Sequence, residues 1–361
     1  MRNSKGRSND RPFFMLGRIM QYDVVGICKA YTDEWVRVSD ADLSRLGLTK
    51  CGSRPANIDE IERILASLPP GRKIAGGPVA NTIAGIANLG GWGAFIGKYG
   101  DDARGRIFQD DYRQRNVFMD KNKTVIKGGD TACCLVLVTP DGERSFITNQ
   151  GVSMDLGVND MPAGLLSSGQ FVFFGLPFWH ESHLPVLRHA ARLARQARKV
   201  INLQSYDPSI RSADFTRALL AEVDIVIGNR TEFQALSNNL GFADSAELHA
   251  KWPHTITWCE TSGGDGVHIR GVEVHFIPTT PVATVTDTTG AGDAFAAGLL
   301  YGMARNWGWK KSALLGHRCA TDIIVTEGAR PIRPWKNFVA VENDGGGGGV
   351  PRELLRKDEG R

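Results

Sequence analysis

Short apolar runs alternate with helical patterns through most of this chain, and this alternation restricts the folds open to it. Four runs are almost continuously apolar, as strands buried on both faces of a sheet are; they span residues 171–178, 199–204, 224–228 and 254–258. Between them, residues 184–198 and 215–223 place apolar side chains at helical spacing. The alternation predicts an α/β fold with three αβα layers, in which helices cover both faces of a doubly wound, mainly parallel sheet.

Two regions interrupt this rhythm with an alternation of period two, which is typical of strands with one exposed face. The first is D-E-W-V-R-V-S-D at 33–40, and the second runs through 125–148 with a hairpin signal at Asp141 and Gly142. We predict a small β-sheet lid, with strands contributed by about residues 31–58 and about 120–150. The 361 residues suffice for one large α/β domain with such an appendage.

The two ends of the chain differ from this unit in composition. The formal net charge is +4, and residues 1–18 carry the whole excess, so the charge is no argument for nucleic-acid binding. A run of five glycines follows Asn343 and cannot repay its ordering entropy. We predict a disordered basic extension over 1–20, one domain over 21–342 and a disordered tail over 343–361. No apolar run approaches the roughly 18 residues that a membrane span needs, so we expect a soluble protein without a membrane partner.

The segment with the clearest chemical implication is V-T-D-T-T-G-A-G-D-A-F at 285–295, an apolar lead-in, a turn and a helix start. Gly290, Ala291 and Gly292 leave backbone N–H groups uncovered at the helix N-terminus, where an anion such as phosphate is favoured. Asp293 then lies in the first turn, within reach of a hydroxyl that attacks the phosphorus. In the simpler alternative, the glycines end a strand and Asp293 caps the helix.

A second glycine-rich element at 75–100, A-G-G-P-V-A-N-T followed by L-G-G-W-G-A-F-I-G-K-Y-G, also opens a helix made of small residues. Neither element contains the Walker A pattern, and neither fits the dinucleotide fingerprint with its acidic residue about 20 positions later. These absences argue against a P-loop enzyme and against a nicotinamide dehydrogenase.

Taken together, these motifs resemble those of the ribokinase-like (PfkB-type) carbohydrate and nucleoside kinases. D-T-T-G-A-G-D-A-F at 287–295 resembles the C-terminal signature of that family, and G-G-P-V-A-N-T at 76–82 resembles the N-terminal one. N-R-T-E at 229–232 and T-S-G-G-D-G at 261–266 match two nucleotide-site motifs, and G-I-C-K-A-Y-T-D at 26–33 is similar to the opening strand of the adenosine kinase-like branch. Five elements occur in the family's order.

The resemblance implies a role for each matching residue. Asp293 would be the catalytic base, with the amides of Gly290, Ala291 and Gly292 as the anion hole. The resemblance also implies two binding groups. The first group would bind the substrate hydroxyls: Asp33, Gly76, Gly77 and Asn81. The second group would bind ATP and Mg²⁺: Asn229, Glu232, Thr261, Gly263 and Gly266. Glu232 would hold Mg²⁺ through water, and the adenine would lie near a helix at 311–326.

Three further implications concern charge. Asp287 stands where the family often places a ligand for a monovalent cation, so K⁺ is a possible cofactor. Lys29 stands where similar kinases carry a small or amide residue; it either points outwards, the orientation we favour, or enters the pocket and selects an acidic or phosphorylated substrate. A helix N-terminus is expected to lower the pKa of Asp293.

The sequence therefore predicts an ATP-dependent kinase that transfers the γ-phosphoryl group to a primary hydroxyl of a sugar. One alternative is an adenosine or other ribonucleoside kinase, and a more distant one is a non-catalytic ligand sensor on the same fold. We expect a small-molecule substrate, no nucleic-acid partner, a cytoplasmic location and a possible homodimer formed through the lid.

Overall fold

The structure is a computed structural model that describes residues 13–15, 18–175, 180–204, 206–252, 255–280 and 282–343. Its strands are β1 Phe13–Met15, β2 Arg18–Met20, β3 Tyr22–Ile27, β4 Tyr31–Arg37, β5 Ser53–Pro55, β6 Arg72–Gly76, β7 Gly93–Ile96, β8 Tyr99–Gly100, β9 Val125–Ile126, β10 Ala132–Val138, β11 Arg144–Asn149, β12 Gly169–Gly175, β13 Arg198–Asn202, β14 Ile225–Asn229, β15 Thr257–Thr261, β16 Gly266–Arg270 and β17 Val274–Pro278. Its α-helices are α1 Asp40–Arg45, α2 Ile58–Ala66, α3 Pro78–Asn88, α4 Ala103–Gln114, α5 Lys121–Thr124, α6 Ala163–Ser167, α7 Leu184–Leu193, α8 Ala213–Leu220, α9 Arg230–Leu240, α10 Ser245–Lys251, α11 Ala291–Ala304, α12 Gly308–Ile324 and α13 Lys336–Asn343.

The large sheet has eight strands in the order β17-β16-β15-β14-β13-β12-β3-β7. All neighbours from β15 to β7 pair in parallel, whereas β16 and β17 extend one edge as antiparallel strands. Helices α3, α11 and α12 pack together on this sheet, and α7, α8, α9 and α10 form a second packed group. The predicted α/β class with a mainly parallel sheet is confirmed.

Close packing of small residues fixes α11, the helix that carries Asp293. A Cβ atom added at Gly298 would lie 2.6 Å from the Cα of Gly316 in α12, and one at Gly85 in α3 would lie 2.7 Å from the Cβ of Ala297. Helices approach this closely only where side chains are small, and a larger residue here would force them apart. The position of α11 against both neighbours is therefore tightly set.

The second sheet forms the lid, with five strands in the order β5-β11-β10-β4-β6. Its strands alternate, and one face buries a separate apolar core beneath α1 and α2 that includes Val36, Leu135 and Ile147. The other face carries the partly exposed residues of the same strands, among them Asp33 and Trp35. The lid thus stabilises itself with its own core and presents a second, more polar face.

One predicted feature of the lid is present and several strand boundaries differ. The predicted hairpin at Asp141 and Gly142 joins β10 to β11. Strand β6, which pairs with β4, was not predicted because the short, charged segment R-K-I-A-G gives no alternation signal. Residue 254 of the strand predicted at 254–258 is outside the described residues. Strand β15 spans Thr257–Thr261 and ends later than predicted, because Glu260 and Thr261 pair with both β14 and β16.

The predicted terminal segments are largely outside the described residues. We predicted a disordered extension over 1–20, but β1 and β2 pair there as a short antiparallel ribbon; residues 1–12, 16 and 17 are not described. Residues 344–361 of the predicted tail are likewise outside the described part. Within the described part, no helix combines the length and the apolar character needed to cross a membrane.

Candidate active site

The glycine turn before α11 has the conformation that only glycine adopts easily. Gly290 is the N-cap of α11 with φ of 80°, in the left-handed region. A Cβ atom here would also lie 2.4 Å from the Cβ of Ala329. Both constraints exclude a side chain, so the chain must carry glycine where it enters the helix.

The amides of this turn are partly open toward a ligand. Ala291 donates its backbone N–H to the carbonyl of Thr288 at 3.2 Å. Within the described residues, the amides of Gly290 and Gly292 have no such backbone acceptor, and a Cβ atom built on Gly292 would meet nothing within 4 Å. Open N–H groups at a helix N-terminus favour an anion, so Gly290 and Gly292 are better placed than Ala291 to bind one.

Asp293 is buried and held by two side-chain amides from other parts of the chain. Asn81 donates from Nδ2 to Oδ2 at 2.9 Å, and Gln204 donates from Nε2 to Oδ1 at 3.4 Å. Burial raises the pKa of Asp293 to about 7, although these two hydrogen bonds and the charge of Arg330 oppose the rise. The expected lowering of this pKa is therefore wrong, because loss of water on burial is its largest cause and raises it.

The residues predicted to bind substrate lie where the lid joins the large domain. Gly76 ends the lid strand β6 and Gly77, with φ of 93°, is the N-cap of α3. The carboxylate of Asp33 covers Gly76 so closely that a Cβ atom there would lie 2.1 Å from Oδ2. Asp33 is half-buried, and loss of water raises its pKa to about 7, opposed by the charge of Arg330.

Two functional candidates were not found from the sequence. Gln204 follows the carboxyl end of β13 with φ of 44°, an uncommon conformation for a residue with a side chain. Arg330 is buried and bonds the carbonyls of Ala75 at 2.9 Å and Ala80 at 2.6 Å. The carboxyl end of a parallel strand was a usable signal for Gln204, whereas Arg330 lies in a loop without a motif.

Two side chains that hold Asp293 carry polar atoms without hydrogen-bond partners. Oδ1 of Asn81 and Oε1 of Gln204 are buried and have no hydrogen bond among the described residues. Such atoms cost free energy unless a ligand or water satisfies them. Both belong to amides whose nitrogens donate to Asp293, so a hydroxyl-bearing ligand bound beside Asp293 is a candidate donor to them.

Lys29 does not point outwards as we favoured. It follows β3, and only 7% of its surface is exposed. Its backbone carbonyl lies close to Gly77, and burial lowers the pKa of its ammonium group. Within the described residues the ammonium forms no hydrogen bond or ion pair, so the structure supports the alternative in which Lys29 belongs to the pocket.

The residues predicted to contact ATP and Mg²⁺ lie where β14 and β15 end and where α9 begins. Asn229 and Glu232 form a capping box on α9: Asn229 Oδ1 accepts from the amide of Glu232 at 2.9 Å, and Glu232 Oε2 accepts from the amide of Asn229 at 2.8 Å. Asn229 and Thr261 are direct partners in the sheet. The motif thus stabilises a helix start as well as standing beside the predicted phosphates.

The hairpin from Thr261 to Gly266 is shaped by two glycines. Gly263 has φ of 56° and no atom within 4 Å of an added Cβ, whereas Gly266 has φ of 129° and a Cβ would lie 2.2 Å from the carbonyl oxygen of Ile277. Gly266 is therefore needed for packing of the hairpin, and Gly263 leaves open space for a ligand.

The residues around Glu232 fit an Mg²⁺ ion that is held mainly by phosphates and water. The carboxylate of Glu232 lies at a strand end, and its charge acts on Asp293. No group of three or more His, Cys, Asp or Glu side chains suited to a metal occurs in the described part of the chain. Mg²⁺ is commonly held by one or two carboxylates with phosphates and water, which matches a single carboxylate here.

Asp287, the predicted ligand for a monovalent cation, is already occupied by protein groups. Oδ1 accepts from the amide of Thr289 at 2.7 Å and from the guanidinium of Arg144, and Oδ2 accepts from the amide of Gly328 at 2.9 Å. These residues do not fit a K⁺ ion bound to the Asp287 side chain, and the predicted role of Asp287 has to be corrected accordingly.

The structure therefore brings the predicted residues together in two groups. Asp33, Gly76, Gly77, Asn81 and Asp293 meet between the lid and the large sheet, together with the unpredicted Gln204 and Arg330. Asn229, Glu232, Thr261, Gly263 and Gly266 meet at the adjacent strand ends. The open amides of Gly290 and Gly292 and the carboxylate of Asp293 begin the same helix.

A buried carboxylate beside open amides at a helix N-terminus is an arrangement suited to transfer of a phosphoryl group to an alcohol. The family model described as pfkB family carbohydrate kinase matches residues 59–336, so the chain belongs to that family.

Individual relatives agree with the family. The chain is 28% identical to the probable fructokinase-6, chloroplastic, of Arabidopsis thaliana over 76% of each chain. It is similar to the structure of a probable sugar kinase from Rhizobium etli CFN 42, with a TM-score of 0.79, 28% identity and coverage of 91% of this chain and 99% of that one. The structure of adenosine kinase from Sinorhizobium meliloti is also similar, with a TM-score of 0.77, 30% identity and coverage of 89% and 99%.

Proposed function

We propose that this kinase transfers the γ-phosphoryl group of ATP to a primary hydroxyl of a sugar, with Asp293 as the general base. The observation that carries the proposal is the position of Asp293, which is buried, bonded to Asn81 and Gln204, and located one residue after the open amide of Gly292. A carboxylate beside an anion site can accept the proton of an attacking hydroxyl.

The pKa of Asp293 suits this step. With a pKa of about 7 the carboxyl is close to half ionised at neutral pH and still basic enough to receive a proton. Phosphoryl transfer through a loose transition state depends chiefly on positioning and on charge stabilisation. The amides of Gly290, Ala291 and Gly292 supply that stabilisation, at about 3 kcal/mol per well-placed donor in comparable oxyanion sites, and the two unpaired glycine amides provide most of it.

The remaining predicted residues bind the two substrates. Asp33 and Asn81 would hold acceptor hydroxyls, and Gly76 and Gly77 would allow the lid to move relative to α3. On the nucleotide side, Asn229 and Glu232 would organise Mg²⁺ and its waters. Thr261, Gly263 and Gly266 would contact ATP, whose adenine would lie near α12.

A ribonucleoside is the second candidate acceptor, and Trp35 is the observation that favours it. Trp35 shares the lid face of Asp33 and is partly exposed, yet its indole Nε1 is buried without a hydrogen-bond partner in the described residues. An aromatic ring with an unsatisfied donor suits a flat, hydrogen-bonding base. For either acceptor, Lys29 favours a substrate that carries an anionic group, because a buried cation without an ion pair gains from a negative ligand.

The test is ADP formation from ATP and Mg²⁺ across neutral sugars, sugar acids, sugar phosphates and ribonucleosides, with Asp293→Asn as the matched variant. We expect turnover on one compound that Asp293→Asn abolishes. Turnover on ribonucleosides alone would establish the second candidate. ATP binding without turnover on any acceptor would contradict a kinase and support a ligand sensor.

Three wider expectations accompany this function. We place the protein in the cytoplasm, acting on small molecules without nucleic acid. A homodimer through the lid would use the edge strands β5 and β6, because α1 and α2 cover one face of the lid sheet. Sedimentation at micromolar concentration tests it, and a single monomeric species would count against it.

A further inference from the structure

A lid arginine is bonded to the loop that forms the anion turn. Arg144 begins β11 of the lid, whereas Asp287 and Thr289 precede α11 in the large domain. The Nη1 atom of Arg144 donates to Oδ1 of Asp287 and also to Oγ1 of Thr289. The contact therefore joins the lid to the segment that ends at Gly290.

The carboxylate of Asp287 has few acceptor positions left. Its side chain is only 4% exposed, and it already accepts from Thr289 N, Gly328 N and Arg144. A carboxylate offers about four lone-pair positions, so three of them are filled by protein donors. The guanidinium of Arg144 lies directly on Oδ1, and its positive charge repels a second cation at the same carboxylate.

The positive charge at this position comes from the protein itself. A buried carboxylate requires a compensating charge, and a guanidinium remains protonated at any pH at which proteins fold. Because Arg144 is on the lid, that charge is present beside the anion turn only when the lid lies over the site. A bound ion, in contrast, would be present in either position of the lid.

We propose that Arg144 replaces a monovalent cation beside the anion turn and so makes this enzyme independent of K⁺, an inference that rests on the proposed kinase function. Arg144 is a positioning residue: it acts on Gly290 and Gly292 through Asp287 and Thr289. Removal of Arg144 leaves the buried carboxylate of Asp287 with its two amide donors but without a counter-charge, and K⁺ then binds at the freed position on Oδ1.

The experiment compares the wild type, Arg144→Gln and Arg37→Gln in potassium chloride and in tetramethylammonium chloride, both at about 100 mM so that screening is equal. Arg37→Gln is the matched control, since Arg37 also joins the lid to the large domain, through an ion pair with Glu327 at 2.8 Å, but at an exposed position. The first readout is ATP turnover with the acceptor that the substrate screen identifies. The second is the melting temperature without substrates.

We expect equal rates of the wild type in the two salts. Without K⁺, Arg144→Gln loses at least about tenfold in kcat, because one partner of a buried pair is missing, and K⁺ restores most of it. K⁺ also raises the melting temperature of Arg144→Gln and leaves that of the wild type and of Arg37→Gln unchanged.

Severalfold activation of the wild type by K⁺ would overturn the proposal. The proposal would also be overturned if Arg144→Gln lost activity and K⁺ restored neither its rate nor its melting temperature. Arg144 would then be only a structural contact between the lid and the large domain. If Arg144→Gln does not fold, Arg144→Lys retains a charge and must remain insensitive to K⁺ in melting temperature. Failure of all variants to turn over, with the expected melting shifts, would contradict the kinase function and leave the cation replacement supported.

Discussion

The acceptor side and the nucleotide side of the site are built in opposite ways. On the acceptor side, Asp293 and Asp33 have pKa values raised to about 7 by loss of water, and buried amide oxygens lack partners. On the nucleotide side, Asn229 and Glu232 satisfy one another in a capping box at an exposed helix start. The acceptor side therefore keeps unsatisfied groups at some cost in stability, whereas the nucleotide side is a satisfied helix start to which we assign a binding role in the proposed function.

The largest expected effect is that of Asp293→Asn. It keeps the shape of the side chain and removes the base, so kcat falls by about 10² to 10⁴, while the dissociation constant of ATP stays the same. Steady-state kinetics and ATP titration measure both. Asp59→Asn, on the lid helix α2, is the control and should retain full activity.

Substitution of the two residues that hold Asp293 should have the next largest effect. Asn81→Ala and Gln204→Ala each remove a hydrogen bond that lowers the pKa of Asp293. Hydrogen bonds to charged groups contribute about 1.5 to 3 kcal/mol, so kcat should fall roughly ten- to hundredfold. The acidic limb of the pH profile should move to higher pH, most clearly in Asn81→Ala, whose bond is shorter. An unchanged limb would show that these residues bind substrate only.

The wild type should lose activity below neutral pH. Because the base must be ionised and its pKa is about 7, kcat/KM should fall by about tenfold per pH unit below pH 7. The sign for stability is opposite to that of an ordinary salt-bridged Asp: the native state binds the proton more tightly, so stability falls as pH rises from about 4 to about 7. Asp293→Asn should therefore melt at a higher temperature than the wild type at pH 8, and the difference should vanish near pH 4.

The smallest effects are expected on the nucleotide side. Asn229→Ala removes the N-cap of α9 and should cost about 1 kcal/mol of stability. Glu232→Gln preserves the capping box, since Gln also serves at that position, and should raise only the concentration of Mg²⁺ needed for half-maximal rate. Equal loss of stability in the two variants would contradict the separation of helix capping from metal binding.

A motif made the glycine turn before α11 predictable, and the alternation of apolar runs with helical patterns made the parallel sheet predictable. Gly290 and Asp293 follow from the local sequence, because a helix start and a left-handed turn are local properties. Gln204 ends a predicted strand, but nothing local shows that it meets Asp293, and Arg330 comes from a loop without a pattern; both reach the site through tertiary structure. The pKa of Asp293 was predicted with the wrong sign, since the helix dipole is visible in the sequence and burial is not.

Other differences have the same origin. The lid strand β6 becomes a strand because β4 offers it a free edge, and the segment itself carries no signal. Arg144 and Asp287 lie 143 positions apart, so their contact could not be anticipated from spacing. The favoured outward position of Lys29 followed the usual behaviour of lysine at a surface, and the fold buries it instead.

The most direct test is the titration of the Asp carboxyl carbons by ¹³C NMR, comparing the wild type with Asp293→Asn. The account predicts a resonance that disappears in the variant and titrates with a pKa of about 7. A resonance assigned to Asp293 that titrates below about 4, the ordinary range for Asp, would contradict the claim that burial prepares this carboxyl as the base.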